Sequence, residues 1–187
     1  MNLRLHAFEP ASRANGPGLR AVVWFQGCTL GCPSCFNPAT HDPTAGTERD
    51  TADLAQVILA QKERIEGVTV SGGEPFQQPA ALLDLLQRVS ATGLSRLVFT
   101  GYTLAEAQHQ SLGPEILRHV DVLIAGRYVE SRRLGHELLS STNQQIHLLT
   151  GRHTAAEFAH IPRSELILHA DGSITLTGIG PDAWLRR

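Results

Sequence analysis

The sequence predicts an α/β fold: a partial, open βα barrel of five or six βα units with a C-terminal β-hairpin extension. Three observations predict it. Short β-branched strands alternate with amphipathic helical stretches, which implies right-handed βαβ units and a parallel sheet. Glycine-containing turns follow the carboxyl end of one strand after another. The chain has 187 residues, short of the roughly 250 that a closed eight-unit barrel takes.

The elements follow in order. Leu19-Arg-Ala-Val-Val-Trp-Phe25 reads as a buried strand that runs into a loop over residues 27 to 49, rich in Gly, Pro, Thr and Asn. Asp50 or Thr51 caps a helix with Leu54, Ala55, Val57 and Ile58 on one side. Val68-Thr-Val70 is a second strand, ending at Ser-Gly-Gly-Glu-Pro75. Pro79 opens a helix carrying Leu82, Leu85, Leu86 and Val89, and Gly93 closes it. Leu97-Val-Phe99 is a third strand, ending at Thr100-Gly-Tyr102. Helical stretches with Leu104 and Ala107 and from Pro114 to His119 come next. Val122-Leu-Ile124 is a fourth strand ending at Ala125-Gly-Arg127, and Ile146-His-Leu-Leu149 a fifth. Glu165 to Thr177 reads as a β-hairpin turning at Asp171-Gly172, placed to cap the barrel's edge or reshape a partner surface.

Length and composition fit one domain over 1–187, with a core of about 15–150 and an extension over 160–187. Hydrophobic content is 42%, charged content 18% and net charge −2, so no basic field for nucleic acid is expected. Arg132-Arg133 and Arg186-Arg187 are local pairs that read as solvated faces. No apolar run of about 18 residues predicts a membrane span. Met1 to His6 alternate too early and run too short for an export core, so a cytoplasmic location is expected.

The three cysteines of the chain, Cys28, Cys32 and Cys35, stand together in a C-x3-C-x2-C stretch. An odd count does not make a closed disulfide framework. A structural zinc site needs a fourth ligand, for which His41 is the nearest candidate, and such sites usually come as two separated pairs. An electron-transfer cluster normally takes four thiolates. Three thiols can instead hold three corners of a four-iron cluster, leaving one iron open to bind a small molecule. In a parallel α/β sheet the cysteine loop, the Gly-Gly-Glu-Pro turn, Thr-Gly-Tyr and Ala-Gly-Arg share one face. Gly72-Gly73 alone is an ordinary tight turn, and Glu74 alone a first-turn acid. Beside a three-thiolate cluster, glycine permits close backbone approach and a carboxylate pairs with an ammonium.

Gly16-Pro-Gly-Leu-Arg20, Phe25-Gln-Gly-Cys28, Cys35-Phe-Asn37, Ser71-Gly-Gly-Glu-Pro75, Phe99-Thr-Gly-Tyr102, Asp121-Val-Leu-Ile124 and Ser141-Thr-Asn-Gln144 occur in a telling order. With them the chain resembles the radical S-adenosylmethionine activating enzymes. It is more similar to the anaerobic ribonucleotide-reductase activating proteins than to the pyruvate formate-lyase activating enzymes. The resemblance implies that Cys28, Cys32 and Cys35 bind a [4Fe–4S] cluster whose fourth iron is chelated by S-adenosylmethionine. It also implies cofactor contacts from Ser34, Cys35, Phe36, Gly72, Gly73, Glu74, Thr100 and Arg127, with Glu74 accepting from the amino group and Ser34 and Phe36 meeting the nucleoside. Reduction by an outside one-electron donor such as flavodoxin or ferredoxin releases methionine and a 5′-deoxyadenosyl radical, and no acid or base residue is needed. The implied partner is a glycyl-radical enzyme, since a short barrel leaves a side open to a protein loop. Modification of a small metabolite or a ribosomal peptide is the alternative, and a passive cluster or zinc module a further one. Asn15 stands where the family pattern has Asp, Ala125 where it has Asp, and Ser140 where it has Gly.

Overall fold

The computed structural model describes residues 1–136 and 138–179, so Arg186-Arg187 and positions 180–187 of the expected extension lie outside the described residues. In chain order the strands and helices are β1 (Asn2–Ser12), β2 (Arg20–Phe25), β3 (Thr47–Asp50), α1 (Thr51–Leu59), β4 (Gly67–Gly72), α2 (Pro79–Ser90) and β5 (Ser95–Thr100). There follow α3 (Leu104–Gln108), α4 (Gly113–Leu117), β6 (Val122–Ala125), β7 (Arg133–His136), β8 (Leu139–Ser141), β9 (Gln145–Leu148), β10 (Ser164–Leu168) and β11 (Ile174–Gly178).

Seven strands form one sheet in the order β3-β1-β2-β4-β5-β6-β9. The four strands β2, β4, β5 and β6 run parallel. β1 and β3 join antiparallel on one side and β9 on the other. Four parallel strands replace the expected five or six units. The fifth expected strand, β9, pairs antiparallel with β6, Ile124 opposite Ile146. Among the described residues between β6 and β9 no α-helix carries the chain back to the starting end, so β9 leaves from the end where β6 stops. β3 and β9 lie at opposite edges, and the sheet is open.

All four helices pack on one face of this sheet, as in a barrel rather than a doubly wound fold. Asp50 caps α1 by accepting from the Ala52 amide at 2.7 Å. Leu54, Ala55 and Ile58 of α1 are buried, but Val57 is 50% exposed. At about 100° per residue Val57 falls on the flank of that apolar stripe, a correction to its expected place. In α2, Leu82, Leu85, Leu86 and Val89 are all buried against Val68, Val70 and Val98.

Four strands lie where loop or nothing was expected: β1, β3 and the antiparallel pair β7–β8. β3 is a run of polar residues within the expected 27–49 loop, and its pairing with β1 (Leu3 opposite Arg49) makes it a strand. β1 buries Leu3 and Leu5. The second face of the sheet, bearing Leu97, Phe99, Val122 and Ile124, is covered by Leu138, Phe158 and Ile179. The C-terminal hairpin forms as expected, with Leu166 opposite Leu176 and a turn at His169–Gly172. Among the described residues its strands pair only with each other, and neither joins the seven-stranded sheet.

Among the described residues, no helix is long and apolar enough to cross a membrane.

Candidate functional site

The carboxyl ends of β2, β4, β5 and β6 place four loops on one rim. The cysteine loop leaves β2 at Gln26, which is buried. Its amide donates to the carbonyls of Ala39 at 3.0 Å and Asp42 at 2.8 Å, on the far limb of the same loop. Gln78, just past the Gly-Gly-Glu turn, donates to the Gln26 carbonyl at 2.9 Å and the Arg4 carbonyl at 3.0 Å. Gln77 binds both the amide and the hydroxyl of Thr29. Backbone bonds from Gly27 to Thr40 and from Cys28 to His41 complete the frame. Sequence reasoning missed these glutamines. Their signal was polar length at a strand end, inside Phe25-Gln-Gly-Cys28 and next to Glu74.

The Gly-Gly-Glu turn is bonded directly to the base of the cysteine loop. The Gly73 amide donates to the Phe25 carbonyl at 2.8 Å and the Glu74 amide to the Gly27 carbonyl at 2.9 Å. Gly72 has φ +104°, and a Cβ at Gly73 would overlap the Gly27 carbonyl oxygen. Both positions therefore require glycine. All three cysteines are free and half-buried. Burial raises the thiol pKa of Cys28 and Cys35, and charge on the neighbouring thiols raises both further, so the three groups sense one another. Among the described residues no three Cys, His, Asp or Glu side chains converge as a ready-made mononuclear metal site.

Glu74 is fully buried. Its carboxylate accepts from the Phe76 amide at 3.0 Å, the Thr100 hydroxyl at 2.9 Å and the Gly101 amide at 2.8 Å. Thr100 is thus brought to Glu74, and the ends of β4 and β5 are tied through one side chain. Burial outweighs these donors and raises the Glu74 pKa from 4.5 to about 7. The unfolded chain then binds fewer protons than the folded one between those values, so folding stability falls as pH rises from 4.5 toward 7. Urea unfolding across that window is expected to show the decline in the wild type. Glu74→Gln, offset by a constant loss, should lack that component; an equal slope in both proteins would refute it.

A family model described as "4Fe-4S single cluster domain" matches residues 14–147. The anaerobic ribonucleoside-triphosphate reductase-activating protein of Vibrio cholerae is 32% identical over 157 residues, 79% of this chain and 99% of that one. The chain belongs to the radical S-adenosylmethionine activating enzymes. The Pasteurella multocida protein of the same name is 33% identical over 67% of this chain and 84% of its own. The pyruvate formate-lyase-activating enzyme of Clostridium pasteurianum is 36% identical over 65% of this chain, and the match spans half of that relative's length. A solved structure, QueE from Escherichia coli, superposes at TM-score 0.42 with 21% identity over 55% of this chain and 53% of that one, too partial an overlap to bear on the fold.

As a member of this family the chain is an enzyme whose cofactors are a [4Fe–4S] cluster and S-adenosylmethionine. The remaining family-motif residues are placed as follows. Ser34 has φ +55° and its hydroxyl donates to Glu130 at 2.7 Å. Phe36 stacks at 4.7 Å on Tyr128, with the Arg133 guanidinium 5.3 Å over its ring. Arg127 is held by both oxygens of Glu106 at 3.1 Å and lies 5.8 Å from the Tyr102 ring centroid. Gln144 binds Ser140, Ser141 and the Gly126 carbonyl, closing the end of β6 beside Ala125. Below Phe36 a cavity of about 300 Å³ opens on the second face of the sheet, lined by Trp24, Phe99, Asn15, Gln144 and Thr177 among others.

Proposed function

We propose that this activating enzyme installs a glycyl radical on a partner protein of the anaerobic ribonucleotide-reductase type, with Cys28, Cys32 and Cys35 as the cluster ligands. The observation that carries the reading is the pair of backbone bonds joining the Gly-Gly-Glu turn to the cysteine loop. They bring the cysteine loop and a glycine-walled turn to one rim. The residues fit the cofactors. Three half-buried free thiols within one eight-residue stretch are the donor set for a cluster with one open iron. The Asn143 side-chain oxygen at the β6 end is buried without a protein partner, an acceptor left for a ligand N–H.

When bound, the cluster and S-adenosylmethionine supply reductive cleavage to methionine and a 5′-deoxyadenosyl radical that takes a hydrogen atom from the partner. The chain's own residues bind and orient. Gly72 and Gly73 let the turn close against the Phe25 and Gly27 backbone at the base of the cysteine loop, which sets the turn beside the methionine end, and Phe36 offers a ring to the nucleoside. Glu74 holds the β4 and β5 loops together through Thr100 and Gly101. Its three protein donors leave about one lone pair for a ligand ammonium, of the four a carboxylate carries. Arg127 acts through its charge on Glu74, whose pKa it lowers against the rise from burial. The electron for that cleavage would come from an outside one-electron donor such as flavodoxin or ferredoxin, passed to the group that Cys28, Cys32 and Cys35 would hold.

Anaerobic incubation of reconstituted, reduced protein with S-adenosylmethionine and candidate reductases is expected to give a glycyl-radical EPR doublet on the partner. Steady 5′-deoxyadenosine release with no doublet on any candidate would overturn the partner assignment.

A further inference from the structure

We propose that the C-terminal hairpin, β10–β11, is a water-excluding wall of the reaction chamber, and that it couples cofactor cleavage to hydrogen abstraction from the partner. The proposal rests on the reading of the site as a radical S-adenosylmethionine centre. It concerns a segment that lies beyond the 14–147 region matched by the family model.

The chamber has two kinds of wall. Trp24, Ser71 and Phe99 come from adjacent parallel strands and Phe36 from the cysteine loop; Thr175 and Thr177 come from β11. Without the hairpin, the second face of the sheet beside Trp24 and Ser71 would open to solvent. Among the described lining residues none is Asp, Glu, Lys or Arg, and His6 is the one titratable group. Such an uncharged lining suits an amide-rich, small-residue peptide segment better than an anionic metabolite, whose charge would be buried without a partner. A radical generated in a solvent-open chamber would be quenched by any nearby C–H or S–H donor, so a closed wall has a direct chemical use.

The wall is latched at three points, two of them outside the chamber and one on its lining. The Glu165 carboxylate accepts from the Ser12 hydroxyl at 2.8 Å and the Arg13 amide at 2.7 Å. His169 pairs with the buried Glu9 at 3.4 Å and contacts the Thr175 hydroxyl at 2.8 Å. The third latch is Asn15, the position where the family pattern has Asp. Its amide donates to Ser12 at 2.8 Å and to Thr177 at 2.9 Å. Among the described residues β10 and β11 pair only with each other, so these side chains and the packing of Ile179 are contacts that help hold the hairpin to the sheet. A lone two-stranded hairpin is marginal in water, so loosening the latches should release it.

The test uses Glu165→Ala/His169→Ala, neither residue lining the chamber, in a Trp184→Phe background that leaves Trp24 as the sole tryptophan. In the cluster-free protein, acrylamide quenching of Trp24 is expected to rise about twofold as the hairpin opens. Hydrogen exchange should show β10–β11 opened with the sheet amides still protected. If the hairpin stays protected, Thr177→Val removes the Asn15 latch as well. In the reconstituted enzyme, 5′-deoxyadenosine formed per partner radical is expected to rise about threefold, the missing hydrogen coming from a buffer alcohol or thiol. Unchanged Trp24 quenching with the hairpin opened, or unchanged coupling with Trp24 exposed, would overturn the proposal. If the wild type cleaves no S-adenosylmethionine, the functional reading fails, while the quenching result still decides the wall.

Discussion

Cys32→Ala is expected to abolish both the cluster and the cleavage of S-adenosylmethionine. Cys32 is the middle of three thiols, and no other cysteine exists in the chain to replace it. Two thiolates cannot hold three corners of a cubane, so iron bound after anaerobic reconstitution should fall to background along with 5′-deoxyadenosine. The fold should persist, because the loop is framed by Gln26, Gln77 and Gln78 and not by its thiols. Circular dichroism would confirm that. An intact cluster signal in this variant would show that the ligands had been misassigned.

Arg20→Met is expected to cost about 4 kcal/mol or more of folding stability, at the high end for a single substitution. Arg20 is wholly buried, and all its N–H groups find neutral acceptors. It donates to Thr69 at 2.9 Å, Pro17 at 3.1 Å, the Ser95 hydroxyl at 2.8 Å, the Val68 carbonyl at 3.0 Å and the Ser95 carbonyl at 3.1 Å. Burial lowers its pKa to about 10, which leaves it charged at neutral pH. Methionine fills much of the volume but leaves the acceptors on β4, on β5 and at Pro17 without their donor. The urea midpoint should drop sharply, while protein that remains folded still binds iron, since these contacts lie at the opposite end of the strands from the cysteines. A loss below about 1 kcal/mol would show that the network relaxes to solvent. The Gly16-Pro-Gly-Leu-Arg20 segment thus has a structural use: Pro17 helps enclose the cation that clamps three strands.

The parts of the fold written in side-chain pattern were legible. β4, β5 and β6 are short β-branched runs, and α2 shows its apolar stripe in Leu82, Leu85, Leu86 and Val89. The Asp171-Gly172 turn announced the hairpin. Strand direction was not legible for β9, because Ile146 and Leu148 look the same in either orientation and the missing helix decides. β3 could not be read at all, since Thr47–Asp50 has no apolar alternation and owes its shape to β1. At the site, cysteine spacing and paired glycines carry strong local chemistry and stand out. The glutamine frame does not, because glutamine has no positional signature and the bonds from Gln78 join residues 52 and 74 positions apart. The hairpin's latches escaped for the same reason: Glu165 and Asn15 are ordinary polar residues until the fold sets Ser12 and Thr177 beside them.

The glutamine frame has a consequence for the life of the enzyme in air. In a zinc finger the metal holds the chain together, and its loss is the loss of the fold. Here the loop is stitched to β1 and to the turn after β4 by bonds that involve no sulfur ligand. Oxygen that strips the iron is therefore expected to disarm the protein without dismantling it, leaving a vacant holder that anaerobic reconstitution should recharge.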